Sequence, residues 1–292
     1  MNPLHLQRRK FLNLGLAGGF SLLAGCSVTS VLNELAPTGT FHGTFDLAYG
    51  PHARHRLDIY QPSKVGGASP VIVFFYGGNW NSGDRADYLF VGEALASIGC
   101  VAVVPDYRLY PEVRYPDFLD DCAQAARWTR ENIEKFGGNS GNIVLMGHSA
   151  GAYNAAMLAL NPRYLQAAGL DVRDISGLIG LAGPYDFLPL TGDVTKAVFG
   201  FPDTSMATQP IQYASAAAPP ALLVTGTDDD VVDPGNSQRL ATRLRAEGAR
   251  ARTIAYRGLG HRTLIGSIAA PLRGLGPVLD DIAGFVDNLR PG

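Results

Sequence analysis

The sequence predicts one α/β domain built around a mostly parallel sheet, and three observations support this. Short aliphatic runs alternate with segments of helical periodicity over most of the 292 residues. Several runs are continuously apolar, as expected of strands buried on both faces of a parallel sheet. Hydrophobic residues make up 46% of the chain, which is enough for one large core. In a sheet of this kind, functional residues gather at the carboxyl ends of the strands.

The individual elements follow from these runs. HRLDIY at 55–60 alternates in polarity, which predicts an edge strand. Further strands are predicted at 71–76, 101–105, 143–147, 178–182, 221–226 and 252–256. Helices are predicted at 85–98, 117–136, 150–161, 236–248 and 277–290. Residues 186–218 break this rhythm with prolines, so we expect them to form a small cap insertion over the carboxyl edge of the sheet.

The first 26 residues have the features of an export signal. Basic residues at 8–10 precede a short apolar run at 11–23, and QRRKFLNL resembles a twin-arginine signal. LLAGC at 22–26 resembles a bacterial lipobox. This resemblance implies that lipid on Cys26 anchors the protein to a membrane of the cell envelope, facing the periplasm or in the outer membrane.

The lipobox also implies a division of the chain. Residues 27–44 are expected to be a flexible tether, and residues 45–292 to form the α/β domain. The alternative is an ordinary cleaved secretory signal in which the cysteine occurs by chance.

Charge and motif content exclude several classes of partner. The chain has 24 basic and 26 acidic residues, so no nucleic acid partner is expected. Neither H-E-x-x-H nor paired C-x-x-C is present, so we expect no metal and no other cofactor. Cys100 and Cys122 are compatible with a disulfide in an exported protein or with two buried thiols.

A serine lies at a sharp turn between a predicted strand and a predicted helix. Gly147-His148-Ser149-Ala150-Gly151 fits G-x-S-x-G, in which glycines leave room for a strained serine backbone. The turn exposes the serine hydroxyl beside the helix N-terminus, where the Ala150 amide can face a developing oxyanion. We therefore predict that Ser149 is a nucleophile.

A serine nucleophile needs a base and an acid, which follow it in chain order in folds with this turn. His261 is the only histidine after Ser149, and it lies in a glycine-bearing loop after the last predicted strand. The acid is expected after strand 221–226, where the sequence reads TDDDVVDP. The candidates there are Asp228, Asp229, Asp230 and Asp233.

A second glycine-rich loop follows strand 71–76 directly. In YGGNW, Gly77 and Gly78 lack side chains, so their amides can approach a ligand closely. Enzymes with G-x-S-x-G take the other half of the oxyanion hole from this loop, often with an HGGG-type sequence. We therefore predict an oxyanion hole formed by Gly77, Gly78 and Ala150, with Tyr76 where histidine is usual.

Four segments together resemble the α/β-hydrolase fold and, within it, the hormone-sensitive-lipase-like and feruloyl-esterase-like (BD-FAE type) carboxylesterases. They are YGGNW at 76–80, DYRLYPEVRYP at 106–116, GHSAGA at 147–152 and GTDDDVVDP at 226–234. The last resembles HGxxDxxV, whose catalytic aspartate lies three residues after the glycine, and this implies Asp229. Asp106 and Arg108 are expected to anchor the loop after strand 101–105. YGG in place of HGG also resembles isoprenylcysteine methylesterase-like proteins. The form of this motif with histidine first, HGGxW, resembles kynurenine formamidase.

The resemblance implies a serine carboxylesterase that hydrolyses short-chain or aryl esters of small molecules through an acyl-enzyme. The catalytic residues would be Ser149, Asp229 and His261. One alternative is an amide or formamide hydrolase with the same residues. The other is a binding protein that has no catalytic activity. A true lipase is disfavoured because the insertion at 186–218 is short for a lid over long acyl chains.

Overall fold

An eight-stranded sheet forms the centre of the protein. The computed structural model describes residues 28–64 and 67–289. The strands lie in the spatial order β1-β2-β4-β3-β5-β6-β7-β8, and all pairs from β4 onward in this order are parallel. Their bounds are β1 Phe41–Ala48, β2 Arg56–Pro62, β3 Ser69–Phe75, β4 Val101–Pro105, β5 Gly138–His148, β6 Ile175–Leu181, β7 Ala221–Gly226 and β8 Ala251–Tyr256.

Helices cover both faces of this sheet. Their bounds are α1 Val28–Glu34, α2 Leu89–Ser97, α3 Asp117–Asn132, α4 Ala150–Leu160, α5 Pro162–Ala167, α6 Asp193–Phe199, α7 Gly235–Ala246, α8 His261–Gly266 and α9 Val278–Asp287. The side chains of β3 and β4 are buried along their whole length, as their continuous apolar sequences predict.

The sequence-based strand assignment needs one correction. All seven predicted strands occur, but 55–60 lies in β2, which is not at the edge of the sheet. β1 is the edge strand and pairs antiparallel with β2. Its sequence FHGTFDLA contains no aliphatic run, and most of its residues are partly or fully exposed, so hydrophobic periodicity did not reveal it.

The predicted tether is also corrected. Residues 28–44 contain α1 and the start of β1. Leu32 is buried, and Asn33 donates to the Ala86 carbonyl and accepts from the Phe90 amide. The segment is therefore packed against the domain rather than extended from it. Cys26 and the export signal lie outside the described residues.

A buried carboxylate joins three distant parts of the chain. Glu93 on α2 is fully buried, and it accepts hydrogen bonds from Thr40 and from the Arg273 guanidinium. A buried carboxylate is stable only when its oxygens are paired in this way. Glu93 therefore holds the residues before β1 and the segment after α8 against the same helix.

The predicted insertion lies between β6 and β7, and residues 186–218 contain α6 and two short 3₁₀ helices. The Tyr153 hydroxyl on α4 donates to the Thr208 carbonyl, and the Tyr115 amide donates to the Val198 carbonyl. These bonds hold the insertion against the α/β domain. We call residues 186–218 the cap.

The register of the parallel strands brings their carboxyl ends to one edge. Phe75 pairs with Gly147, His148 with Leu181, and Gly226 with Tyr256. The loops after β3, β5, β7 and β8 therefore begin beside one another. Within residues 28–64 and 67–289, no helix has the length and apolarity needed to cross a membrane. Cys100 and Cys122 are buried and form no disulfide.

Candidate active site

Ser149 occupies a strained turn between β5 and α4. Its φ and ψ are 56° and −124°, a left-handed conformation that is costly for a residue with a side chain. Its amide donates to the Leu181 carbonyl at 2.9 Å, which fixes the turn to the neighbouring strand. A Cβ on Gly147 would lie 2.2 Å from the Gly151 carbonyl carbon, and one on Gly151 would lie 1.9 Å from the Phe75 oxygen. Both glycines are therefore required by close packing.

The serine hydroxyl, one imidazole and one carboxylate form a continuous row. His261 Nε2 lies 2.8 Å from Ser149 Oγ, and His261 Nδ1 lies 2.8 Å from Asp229 Oδ2. An ionised carboxylate only accepts, so Nδ1 carries the proton and Nε2 is free to take one from the serine. His261 and Asp229 are each 8% exposed. The structure thus brings together the three residues predicted from sequence.

The loop after β7 presents one of its four aspartates to His261. Asp229 Oδ1 accepts from the amides of Val231 and Val232, at 3.0 and 2.9 Å, which leaves Oδ2 for the imidazole. Asp228 and Asp230 are exposed. Asp233 pairs with Arg239, and this hydrogen bond lowers the Asp233 pKa. Asp229 is therefore the aspartate of this loop that pairs with the imidazole.

The loop after β3 lies against the serine. A Cβ on Gly77 would lie 2.9 Å from Ser149 Cβ, and Gly78 has a φ of 127°, which favours glycine. The two glycines therefore let the loop lie close to the serine, and Gly77, Gly78 and Ala150 stay the predicted oxyanion donors.

A buried polar network anchors this loop, and sequence analysis did not foresee it. The Tyr76 hydroxyl donates to Asp106 Oδ1 at 2.6 Å and accepts from Arg54 at 2.7 Å. Asp106 is 2% exposed and also accepts from the Arg85 amide and guanidinium. Arg54 donates to the Gly83 carbonyl as well. These bonds fix both ends of the loop from 76 to 83.

Aromatic stacking completes the anchor. The Tyr76 ring stacks between those of Tyr88 and Tyr107, with centroids 5.3 and 4.9 Å away. The Tyr107 hydroxyl also donates to the Tyr76 carbonyl. Asp106 thus anchors the glycine loop, in addition to the loop after β4 as expected. Arg108 pairs with the buried Asp121 and does hold the loop after β4.

A second histidine supports the first. His148 Nε2 lies 3.0 Å from the His261 carbonyl, so this nitrogen carries the hydrogen and donates. The two rings are 4.8 Å apart, and His148 Nδ1 is buried without a partner among the described residues. Burial, together with the nearby His261, lowers the pKa of His148 to about 3. His148 is therefore neutral at physiological pH and holds the backbone of His261.

Residues 57–244 match the family model BD-FAE. The chain is 30% identical over 263 residues to an isoprenylcysteine alpha-carbonyl methylesterase from Arabidopsis thaliana, covering 82% of this chain and 61% of that protein. It is 31% identical over 221 residues to esterase LipC from Mycobacterium tuberculosis, covering 68% and 54%. The chain therefore spans little more than half the length of these relatives.

Solved structures agree with the observed architecture. An esterase B from Lactobacillus rhamnosis superposes with a TM-score of 0.75 at 19% identity, covering 89% of this chain and 93% of that chain. At this identity the likeness bears on the fold alone. It confirms the α/β-hydrolase fold that the four sequence segments predicted.

The Tyr76 anchor predicts a kinetic defect without a binding defect. Tyr76→Phe keeps the stacked ring but removes the hydroxyl between Arg54 and Asp106, so the glycine loop loses its fixed position. We expect kcat for an aryl acetate to fall about 10-fold, the equivalent of ~1.4 kcal/mol, with KM nearly unchanged. Tyr110→Phe, outside this network, is the matched control. Equal kcat values for the two variants would contradict the proposed anchoring.

The neutral state of His148 predicts a pH-dependent stability. The unfolded chain takes up a proton at this residue near pH 6.5, whereas the folded chain does so only near pH 3. The free energy of unfolding should therefore fall as pH falls from 6 to 4, by ~1.4 kcal/mol per pH unit from this group. Urea unfolding of His148→Gln should lack this contribution, while exposed His42→Gln should retain it. Parallel pH curves for wild type and His148→Gln would contradict the assignment.

Proposed function

We propose that this chain, which belongs to the BD-FAE family, is a serine hydrolase that cleaves carboxylic esters of small molecules. The observation that carries the proposal is the row from Asp229 through His261 to Ser149, with both contacts of His261 at 2.8 Å. The names of the two relatives, a methylesterase and an esterase, support an ester as the substrate.

The geometry supports a two-step reaction. His261 Nε2 takes the proton of Ser149 as its oxygen attacks the ester carbonyl, and the oxyanion is received by the amides of Gly77, Gly78 and Ala150. Asp229 accepts from Nδ1 and stabilises the imidazolium that forms. Collapse of the tetrahedral intermediate transfers the proton from His261 to the leaving alcohol. Water, deprotonated by His261, then attacks the acyl-serine, and His261 returns that proton to Ser149 Oγ as the bond to the acyl group breaks and the acid is released.

The buried anchor of the glycine loop holds the oxyanion donors in position before the substrate binds. An oxyanion is stabilised most when its donors are already in position before charge develops. Asp106 holds Tyr76 and Arg85, so the loop that carries Gly78 is fixed before any substrate binds. The strained turn does the same for the Ala150 amide.

Substitutions in the row test the proposal. Ser149→Ala and His261→Ala should each lower kcat for an aryl acetate by about 10⁴-fold or more, and Asp229→Asn should lower it by a comparable factor because it disturbs the histidine tautomer. Asp228→Asn, an exposed neighbour, is the matched control and should stay within about twofold of wild type. Mass spectrometry should find an organophosphonate adduct on Ser149.

Other outcomes identify the alternatives. Turnover of a matched anilide faster than the ester would favour an amide hydrolase. If the folded protein shows neither turnover nor an adduct on Ser149, it is a binding protein without catalytic activity.

We further propose that the protein is exported and held at a membrane of the bacterial envelope by lipid on Cys26. RRK at 8–10 and LLAGC at 22–26 support this. α1 begins at Val28, two residues after Cys26, and its Leu32 and Asn33 pack against the domain. An anchor at Cys26 would therefore hold the α/β domain directly at the membrane surface.

Fractionation of a bacterial host tests this localisation. The wild-type protein should sediment with membranes and be released by detergent, whereas Cys26→Ala should appear in the soluble fraction because the lipid-accepting thiol is gone. Cys122→Ala, at a buried cysteine far from the signal, is the control and should stay with the membranes. Wild-type protein found only in the soluble fraction would show an ordinary cleaved signal.

A further inference from the structure

Asn236 in the first turn of α7 joins two loops at the carboxyl edge of the sheet. Its side chain is buried, with 3% of the residue exposed. Oδ1 accepts from the amides of Tyr185 and Asp186, each at 2.8 Å, and Nδ2 donates to the Asp233 carbonyl at 3.0 Å. A buried side-chain amide whose oxygen and nitrogen are both paired has one stable orientation. Asn236 is therefore a fixed bridge between the loop after β6 and the loop after β7.

The loop after β7, residues 227–234, carries Asp229, and its start is bound to the segment after β8. The Thr227 amide donates to the Tyr256 carbonyl at 2.9 Å. The next amide along the chain donates to the Leu259 carbonyl at 3.0 Å. These bonds hold the start of the loop against the segment that leads to the catalytic histidine. The far end of the loop meets α7.

Asn236 fixes this far end, next to the turn that orients the carboxylate. Asp229 Oδ1 accepts from the amides of Val231 and Val232, so the direction of the carboxylate depends on this turn. Asp233 follows the turn directly, and its carbonyl accepts from both the backbone amide and the side chain of Asn236. A shift of Asp233 would therefore move the turn and, with it, Asp229 Oδ2.

The bridge connects the acid loop to the strand that also holds the nucleophile. The Ser149 amide donates to the carbonyl of Leu181, the last residue of β6. Tyr185 follows four residues later and is fully buried, so its amide gives Asn236 a rigid attachment. Arg239 joins the same two loops from the surface, but exposed ion pairs of this kind contribute little. The buried bridge at Asn236 is therefore the stronger of the two connections.

We propose that Asn236 is a positioning residue that holds Asp229 where its carboxylate meets His261. The inference rests on the proposed esterase function. Loss of the side-chain amide would leave two backbone amides of the loop after β6 without their acceptor, and it would give the loop after β7 freedom to move. The imidazolium that forms in the transition state would then lose stabilisation, whereas the substrate would bind as before.

Removal of the bridge tests its role. Asn236→Leu keeps the branched shape of the side chain and removes its hydrogen bonds, so kcat for an aryl acetate should fall about 10-fold with KM within about twofold of wild type. Asn142→Leu is the matched control, because Asn142 is a buried asparagine of β5 at the opposite edge of the sheet. Its kcat should stay within about twofold of wild type. An equal loss in both variants, or no loss in Asn236→Leu, would overturn the inference. Asn236→Ala provides a second variant if Asn236→Leu does not fold, and circular dichroism checks all three.

A double-mutant cycle separates positioning from a general structural effect. If Asn236 acts through the carboxylate, Asn236→Leu should cause less than about a twofold further loss of kcat in the Asp229→Asn background, measured at high enzyme concentration. A further 10-fold loss in that background would show an effect that does not pass through Asp229, and it would overturn the inference while leaving the esterase function intact.

NMR tests the position of the acid without substrate. The proton on His261 Nδ1, which is hydrogen-bonded to Asp229 in the wild type, should change its resonance in Asn236→Leu and keep it in Asn142→Leu. An unchanged resonance in Asn236→Leu would overturn the inference. Absence of any Ser149-dependent turnover by the wild type would instead overturn the esterase function itself, and the resonance would still decide whether Asn236 positions the carboxylate.

Discussion

The strained backbone at Ser149 is the constraint on which the rest of the site depends. A left-handed serine persists only where its surroundings leave no alternative, and here Gly147, Gly151 and the Leu181 carbonyl supply that restriction. The parallel sheet stabilises the strained turn, because its register fixes the end of β5 between β3 and β6. In return the hydroxyl stands clear of the sheet, where a base from β8 and an acid from β7 can reach it.

Buried charge plays a second role that is separate from the chemistry. Asp106 is almost fully buried, which would be costly for an unpaired carboxylate, but Tyr76, Arg54 and Arg85 all bind it. Such a network favours one arrangement, because moving any of these side chains away leaves a buried charged or polar group without its hydrogen-bond partner. The loop after β3 therefore gains a defined position. A glycine-rich sequence would otherwise have too much conformational freedom to preorganise its amides.

Hydrophobic runs were sufficient to predict seven strands and the fold class, and the G-x-S-x-G turn predicted the chain order of the catalytic candidates. The runs missed β1 because all its residues are partly or fully exposed and it pairs only at the sheet edge, with β2. They missed α1 because its seven residues are too few to show a clear helical period. The choice of Asp229 among four aspartates came from resemblance. The structure gives its physical reason, which is that two backbone amides orient this carboxylate toward the ring.

Neither the Asp106 network nor the packing of the cap could be read from spacing, since each joins residues far apart in sequence. Tyr76 and Asp106 are 30 positions apart, and Tyr153 and Thr208 are 55 apart.

The two histidines show how one environment can assign opposite roles to identical side chains. Their rings are 4.8 Å apart, so a charge on His148 would oppose the charge that develops on His261 during proton transfer. Burial removes this conflict by keeping His148 neutral, and the same neutral ring then donates to the backbone of His261. Asp229 Oδ2 contacts the His261 ring directly, so the carboxylate stabilises a cation on the ring that contacts the serine. The turn between β5 and α4 thus supplies both the nucleophile Ser149 and an uncharged support for its base, and the imidazolium can form on His261 alone.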